Sequence, residues 1–207
     1  MNKKIIVISG YLAAGKSTFA RRLSKEINVP YLVKDTFKIE MCANIVVSSR
    51  EEKSRFSVVT FDAMMYVTER LMETGFPVII EANFVPEGIK KVNEAGALKA
   101  LIDKYDYQAL TYKFVGDTKI LCERFNDREK LPERGFVNQV GGIPYDTFDI
   151  FCHNLDAFDV GGKVIMIDTT DFDKVDFDSH IEAARIFIND GAGEKCKTMN
   201  DFIKKVL

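Results

Sequence analysis

Two glycines five residues apart, Gly10 and Gly15, are followed directly by a lysine and a serine. The stretch Gly10-Tyr11-Leu12-Ala13-Ala14-Gly15-Lys16-Ser17 fits the pattern G-x-x-x-x-G-K-[ST] at every position. The chemistry that needs this spacing is capture of a nucleotide's phosphates. Glycine lets the backbone curl around a phosphate, N–H groups and a helix N-terminus point at the anion, lysine reaches the β- and γ-phosphates, and serine ligates Mg²⁺. Gly10, Ala13, Ala14, Gly15, Lys16, Ser17 and Thr18 are therefore the expected ATP-binding residues, with Lys16 also catalytic and Ser17 also a metal ligand. A tight strand-to-helix turn can match so short a pattern by chance, so context decides: a strand must lead in and a helix must leave.

The flanking elements meet that condition. KKIIVISG (3–10) is a β-branched run ending in glycine, as expected of a parallel strand buried on both faces. From Lys16 to Ile27 the apolar positions Phe19, Ala20, Leu23 and Ile27 recur at helical spacing, and Pro30 closes the helix. PYLVKD is a short second strand delivering Asp35 at its end. Residues 36–44 and 50–74 follow as helices, the longer with Phe56, Val59, Ala63, Val67 and Leu71 on one face and Gly75 as its C-cap. FPVIIEAN is a third strand ending at Glu81, Pro86 to Tyr105 a helix, YQALTYKFVG a fourth strand, and Asp117 to Asn126 a helix capped by Asp117. GKVIMIDTT (162–170) is the fifth strand, and EKCKTMNDFIKKVL reads as a last helix. Alternation of strand and helix predicts an α/β fold, a five-stranded parallel sheet with helices on both faces. Residues 127–160 break the rhythm with polar, proline- and glycine-bearing sequence, and read as an excursion between strands four and five.

Other residues could complete a site at the strand ends. A carboxylate at the C-terminal end of a parallel strand faces the same crevice as the phosphate loop, which is where Asp35 and Glu81 fall; the plainer role for Asp35 is the N-cap of helix 36–44. Lys34 and Lys38 flank Asp35 and would suit an anionic acceptor, or lie solvated on the surface. Arg124 and Arg128 share a helix face with Arg134 just beyond Pro132. Their planar forks suit phosphate oxygens, although Glu123, Asp127 and Glu129 offer ordinary surface partners. The stripe Phe148, Phe151, Leu155 reads as core before it reads as a pocket wall.

The phosphate loop, VKDTFK on strand two, VIIEANF on strand three and CERFNDREKLPERG together resemble the P-loop small-molecule kinases, a family similar to polynucleotide kinase, chloramphenicol phosphotransferase and zeta-toxin kinases. The resemblance spans about residues 3 to 170 and implies ATP-dependent phosphorylation of a hydroxyl. It implies Asp35 as the group accepting the acceptor's proton, Glu81 with Ser17 at Mg²⁺, and Asn83 and Phe84 lining the acceptor pocket. It further implies Thr169 and Thr170 near the adenine, and a lid at about 124–158 bringing Arg124, Arg128 and Arg134 onto the triphosphate. Glu81 departs from the family's more usual aspartate.

Composition narrows the class. With 207 residues, 46% hydrophobic, the chain suits a single domain, 1–207. A net charge of −2 supplies no basic field for a long nucleic acid or an anionic membrane, so a small molecule is the expected partner. No apolar run is long enough to span a membrane, and a cytoplasmic location is expected. Four scattered cysteines and two histidines argue against a zinc site or a disulfide framework. No N/T-K-x-D element for guanine is present, and the D-x-x-G match at 159–162 precedes a strand, as a turn would. The expectation is an ATP- and Mg²⁺-dependent kinase acting on a neutral or cationic small molecule such as a nucleoside, sugar or antibiotic. The alternative is a nucleotide-binding regulatory or toxin-associated module with little turnover.

Overall fold

The computed structural model describes residues 2–45, 49–86, 93–131 and 142–190. Its frame is one sheet of five parallel strands, β1 (Lys4–Gly10), β2 (Tyr31–Val33), β3 (Val78–Glu81), β4 (Gln108–Val115) and β5 (Lys163–Asp168), in the order β2-β3-β1-β4-β5. β1 lies at the centre, every residue buried, with Ile8 opposite Glu81 of β3 and Tyr112 of β4. Its alternating side chains feed two cores. Ile6 and Ile8 pack with α1 (Lys16–Ile27), α5 (Thr118–Arg128), α6 (Tyr145–Asn154) and α7 (Phe177–Asn189), whereas Ile5 and Val7 pack with α3 (Arg50–Glu73) and α4 (Glu94–Tyr105). α2 (Lys34–Met41) follows β2 without a linker. The expected doubly covered parallel sheet is the observed one.

Several boundaries differ from the sequence reading. α2 starts at Lys34, so Asp35 sits in the first turn of a helix whose N-cap is Val33, and neither ends a strand nor caps 36–44. The buried stripe of α3 is Thr60, Met64, Thr68 and Met72, one position round from the expected face, with Phe61 and Met65 beside it and Val59 left 53% exposed. Methionine and threonine carry that stripe, and a rule weighted to branched aliphatics passes over them. Pro86 lies outside any helix; α4 begins only at Glu94, where the Asn93 side chain accepts a 2.7 Å bond from Gly96 N–H. The helix α7 was not foreseen, although Asp176 caps it and Ile181, Ala184 and Ile188 bury at helical spacing. The expected last helix at 194–207 lies outside the described residues, as do 132–141 of the expected lid. The far part of that lid region is packed structure: Phe148 and Leu155 of the expected stripe are fully buried, as is Cys152, whereas Phe151 is only partly buried. No helix among the described residues is long and apolar enough to cross a membrane.

Candidate active site

The phosphate loop is shaped by what surrounds it. A side chain at Gly10, with φ of +116°, would meet the carbonyl oxygen of Phe114 at 2.0 Å, because β4 passes directly alongside. Gly15 has φ of +85° and lies against the ring of Phe172. α1 then starts at Lys16 with no side chain capping its first N–H groups, which leaves the positive end of the helix dipole for an anion. Lys16 is buried, and its ammonium donates to the carbonyls of Gly10 (2.9 Å) and Tyr11 (2.6 Å). Burial holds its pKa below the ordinary lysine value, against the opposing pull of Glu81 and Asp35. The loop is braced from behind: Tyr11 Oη donates to Asp156, 3.1 Å from each carboxylate oxygen, and Lys113 donates to the carbonyl of Asp156 at 2.6 Å.

The neighbouring strand ends bring carboxylates to the same crevice. Ser17 Oγ donates to Glu81 Oε2 at 2.9 Å. Glu81 is buried, and desolvation raises its pKa despite Lys16 nearby. Hydroxyl and carboxylate oxygens are hard ligands that suit Mg²⁺, which takes few protein ligands and completes its shell with phosphates and water. Among the described residues no cluster of three or more His, Cys, Asp or Glu side chains could hold a metal unaided. Asp35 is half-exposed, its Oδ1 3.9 Å from Lys38 Nζ. Lys34, Asp35, Ser57, Glu81, Asn83, Glu94 and Arg128 line one cleft together with residues 12–18. Both lysines beside Asp35 are buried, against the solvated alternative. Lys34 pairs with Glu94 at 2.5 Å, a partner 60 residues away that sequence reasoning missed because nothing local marks it. Asn83 faces the cleft, whereas Phe84 is fully buried and stacks on Phe158, away from the pocket role expected for it.

The arginines separate. Arg128 lines the cleft, with Glu129 at 3.6 Å. Arg124 does not line it: its guanidinium donates to the carbonyls of Thr169 and Thr170, both at 2.6 Å, and lies 4.4 Å from the centre of the Phe172 ring. Two carbonyls aligned at the end of β5 match the arginine fork, which draws it to that side. Arg134 lies outside the described residues. Beside Gly15 and Thr18, Phe172, Phe177, Phe19 and Arg22 line an open apolar hollow of about 340 Å³. Phe172 was not anticipated; an aromatic two residues past the last strand's threonines is the signal that marks it.

No family model matches the chain, and no curated protein matches it. Solved structures do. A candidate kinase from Chloroflexus aurantiacus is similar with a TM-score of 0.78 at 21% identity, over 89% of this chain and 98% of that one. Shikimate kinase from Bacteroides thetaiotaomicron is similar at 0.54 and 16% identity, over 90% and 98% of the two chains. APS kinase from Mycobacterium tuberculosis, solved with AMPPNP and APS, is similar at 0.55 and 10% identity, over 91% and 98%. At such identities the likeness shows the fold alone, a five-stranded parallel sheet covered by helices that this chain shares with those kinases.

Proposed function

We propose that this protein is an ATP- and Mg²⁺-dependent phosphotransferase that phosphorylates a hydroxyl of a small molecule. One observation carries the reading: Lys16, Ser17, Asp35, Glu81 and Arg128, drawn from four elements, line a single cleft at the C-terminal edge of the sheet. The kinases similar in fold, one solved with AMPPNP, support it.

In this reading the triphosphate lies along the loop and the uncapped start of α1. The bonds of Lys16 to the Gly10 and Tyr11 carbonyls hold its ammonium inside the loop, and it turns donors from them to the phosphate oxygens when nucleotide binds. Ser17 and Glu81 would hold Mg²⁺, which when bound neutralises phosphate charge. The apolar hollow at Phe172 and Phe177 suits the base, with Arg124 stiffening its wall. Asp35 accepts the proton of the acceptor hydroxyl as its oxygen bonds to the γ-phosphorus. The bond from γ-phosphorus to the β,γ-bridging oxygen breaks, and ADP leaves. Arg128 stabilises charge on the transferring group.

The test is ADP release from Mg·ATP across nucleosides, sugars, aminoglycosides and amino-sugar nucleotides. Acceptor-dependent ADP production is expected. Tight ATP binding with no ADP from any acceptor would instead identify a nucleotide-binding module.

A further inference from the structure

We propose that the buried pair Lys34–Glu94 reads the acceptor, and that the acceptor is an uncharged polyhydroxyl compound held through two neighbouring hydroxyls. This rests on the phosphotransferase reading of the same cleft.

The pair is built from two helix starts. Lys34 opens α2, one residue before Asp35, and Glu94 opens α4; they meet at 2.5 Å with side chains 10% and 3% exposed, and both line the cleft. Part of Glu94 has a structural task. Its Oε2 accepts from Val85 N–H at 3.2 Å, and the N–H groups of Glu94 and Ala95 close back onto the Val85 carbonyl. Lys34 takes no part in that closure. It bonds the other carboxylate oxygen, Oε1, and lies over the Phe61 ring at 5.1 Å, so its ammonium is fixed at the cleft wall beside the residue that would receive the acceptor's proton. Withdrawing two ions from water costs more than apolar packing would, so stability alone is a weak reason for the pair.

Charge balance then selects the ligand. Among the described cleft-lining residues, Lys16, Lys34 and Arg128 are offset by Asp35, Glu81 and Glu94. Lys16 and Arg128 serve the phosphates and Glu81 their metal, so the acceptor end offers the opposite charges of Lys34 and Glu94 beside the Asp35 that takes the proton. An acceptor with its own net charge would leave Lys34 or Glu94, the two nearly buried ions, unmatched where water is scarce. A diol meets both: one hydroxyl donates to the Glu94 carboxylate and its neighbour accepts from the Lys34 ammonium. Asn83, also facing the cleft, has an amide that donates and accepts in the same way.

The experiment follows binding and turnover separately. With Mg²⁺ and AMPPNP present, saturation-transfer NMR compares ribose, glucose and myo-inositol with gluconate (anionic) and glucosamine (cationic); ADP release from ATP is measured for the same five. Binding of at least one neutral polyol above both charged sugars is expected. The double variant Lys34→Met/Glu94→Gln, which leaves no unmatched ion, and the single Glu94→Gln should each weaken that polyol at least tenfold. ATP affinity should stay unchanged; a purely structural pair would move the melting temperature and leave polyol affinity alone. Preference for gluconate or glucosamine, no neutral binding, or neutral binding untouched by both variants overturns the proposal. Neutral binding lost in the variants but never accompanied by ADP sustains the polyol site and removes the phosphotransferase reading.

Discussion

Ser17 Oγ in the first turn of α1 is bonded to Glu81 Oε2 at the end of β3, 2.9 Å apart across 64 positions of sequence. The contact follows from topology. β1 and β3 are parallel neighbours with Ile8 opposite Glu81, and the Ala82 N–H bonds the Ile8 carbonyl, so the chain leaving β3 stays beside the phosphate loop. A hydroxyl and a carboxylate are thereby brought together with the Lys16 ammonium in the same crevice.

Lys16→Ala should abolish turnover while leaving the fold intact. The ammonium meets developing charge in a partly desolvated site, where loss of one such donor costs about 10²-fold or more in rate. Among the described residues its ammonium bonds two backbone carbonyls, a modest structural contribution of about 1.5–3 kcal/mol each that burial of the charge offsets. ADP release and thermal unfolding of the same preparation check this; near-normal transfer would remove Lys16 from the mechanism.

Asp35→Asn separates chemistry from binding. The side chain is half-exposed in the first turn of α2, where its charge is worth about 0.3–1 kcal/mol to the helix. Melting temperature and ATP dissociation constant should therefore change little, while kcat falls by about 10² to 10⁴. An unchanged kcat would send the search for the proton acceptor to Glu81.

Arg124 and Arg128, one helical turn apart, should fail differently. Arg124→Ala releases the carbonyls of Thr169 and Thr170 and the Phe172 ring, and should lower stability by about 1–3 kcal/mol and weaken ATP. Arg128→Ala, which removes the guanidinium 3.6 Å from the buried Glu129 carboxylate, should lower kcat by about 10²-fold or more while leaving ATP affinity less affected than Arg124→Ala does. Denaturant unfolding and steady-state kinetics on both variants distinguish them; matching profiles would refute the division.

Burial of His180 on α7 holds its imidazole below the ordinary value of 6.5, with Asp176 opposing. The unfolded chain then binds more protons than the folded one between the depressed pKa and 6.5, so stability present above pH 6.5 is lost as pH falls through that window. His180→Gln should flatten the dependence. Urea unfolding of both proteins at pH 5 and pH 7.5 gives the comparison; equal slopes would contradict it.

What was legible in the sequence is what is encoded locally. The phosphate loop, α1 and the central strands depend on spacing within a dozen residues, and they stand where expected. Asp35 reads in the sequence as the end of a strand, whereas β2 stops two residues earlier and α2 begins at once. The pair Lys34–Glu94 and the link Tyr11–Asp156 join residues 60 and 145 positions apart, and each partner alone is an ordinary surface type. Arg124 and Arg128 look equivalent on a helical wheel; only the two carbonyls at the end of β5 tell them apart. The face of α3 and the helix α7 were decided by which sheet surface needed covering.

Phe172 touches Gly15 on one side and the Arg124 guanidinium on the other, and the residue is 38% exposed, leaving room for a larger ring. The whole chain contains no tryptophan. Phe172→Trp therefore installs a single indole fluorophore at the rim of the hollow assigned to the base, against a background of tyrosine alone. Its emission should shift on titration with ATP and stay fixed on titration with inorganic triphosphate, turning a packing contact into an optical readout of which end of the nucleotide has arrived.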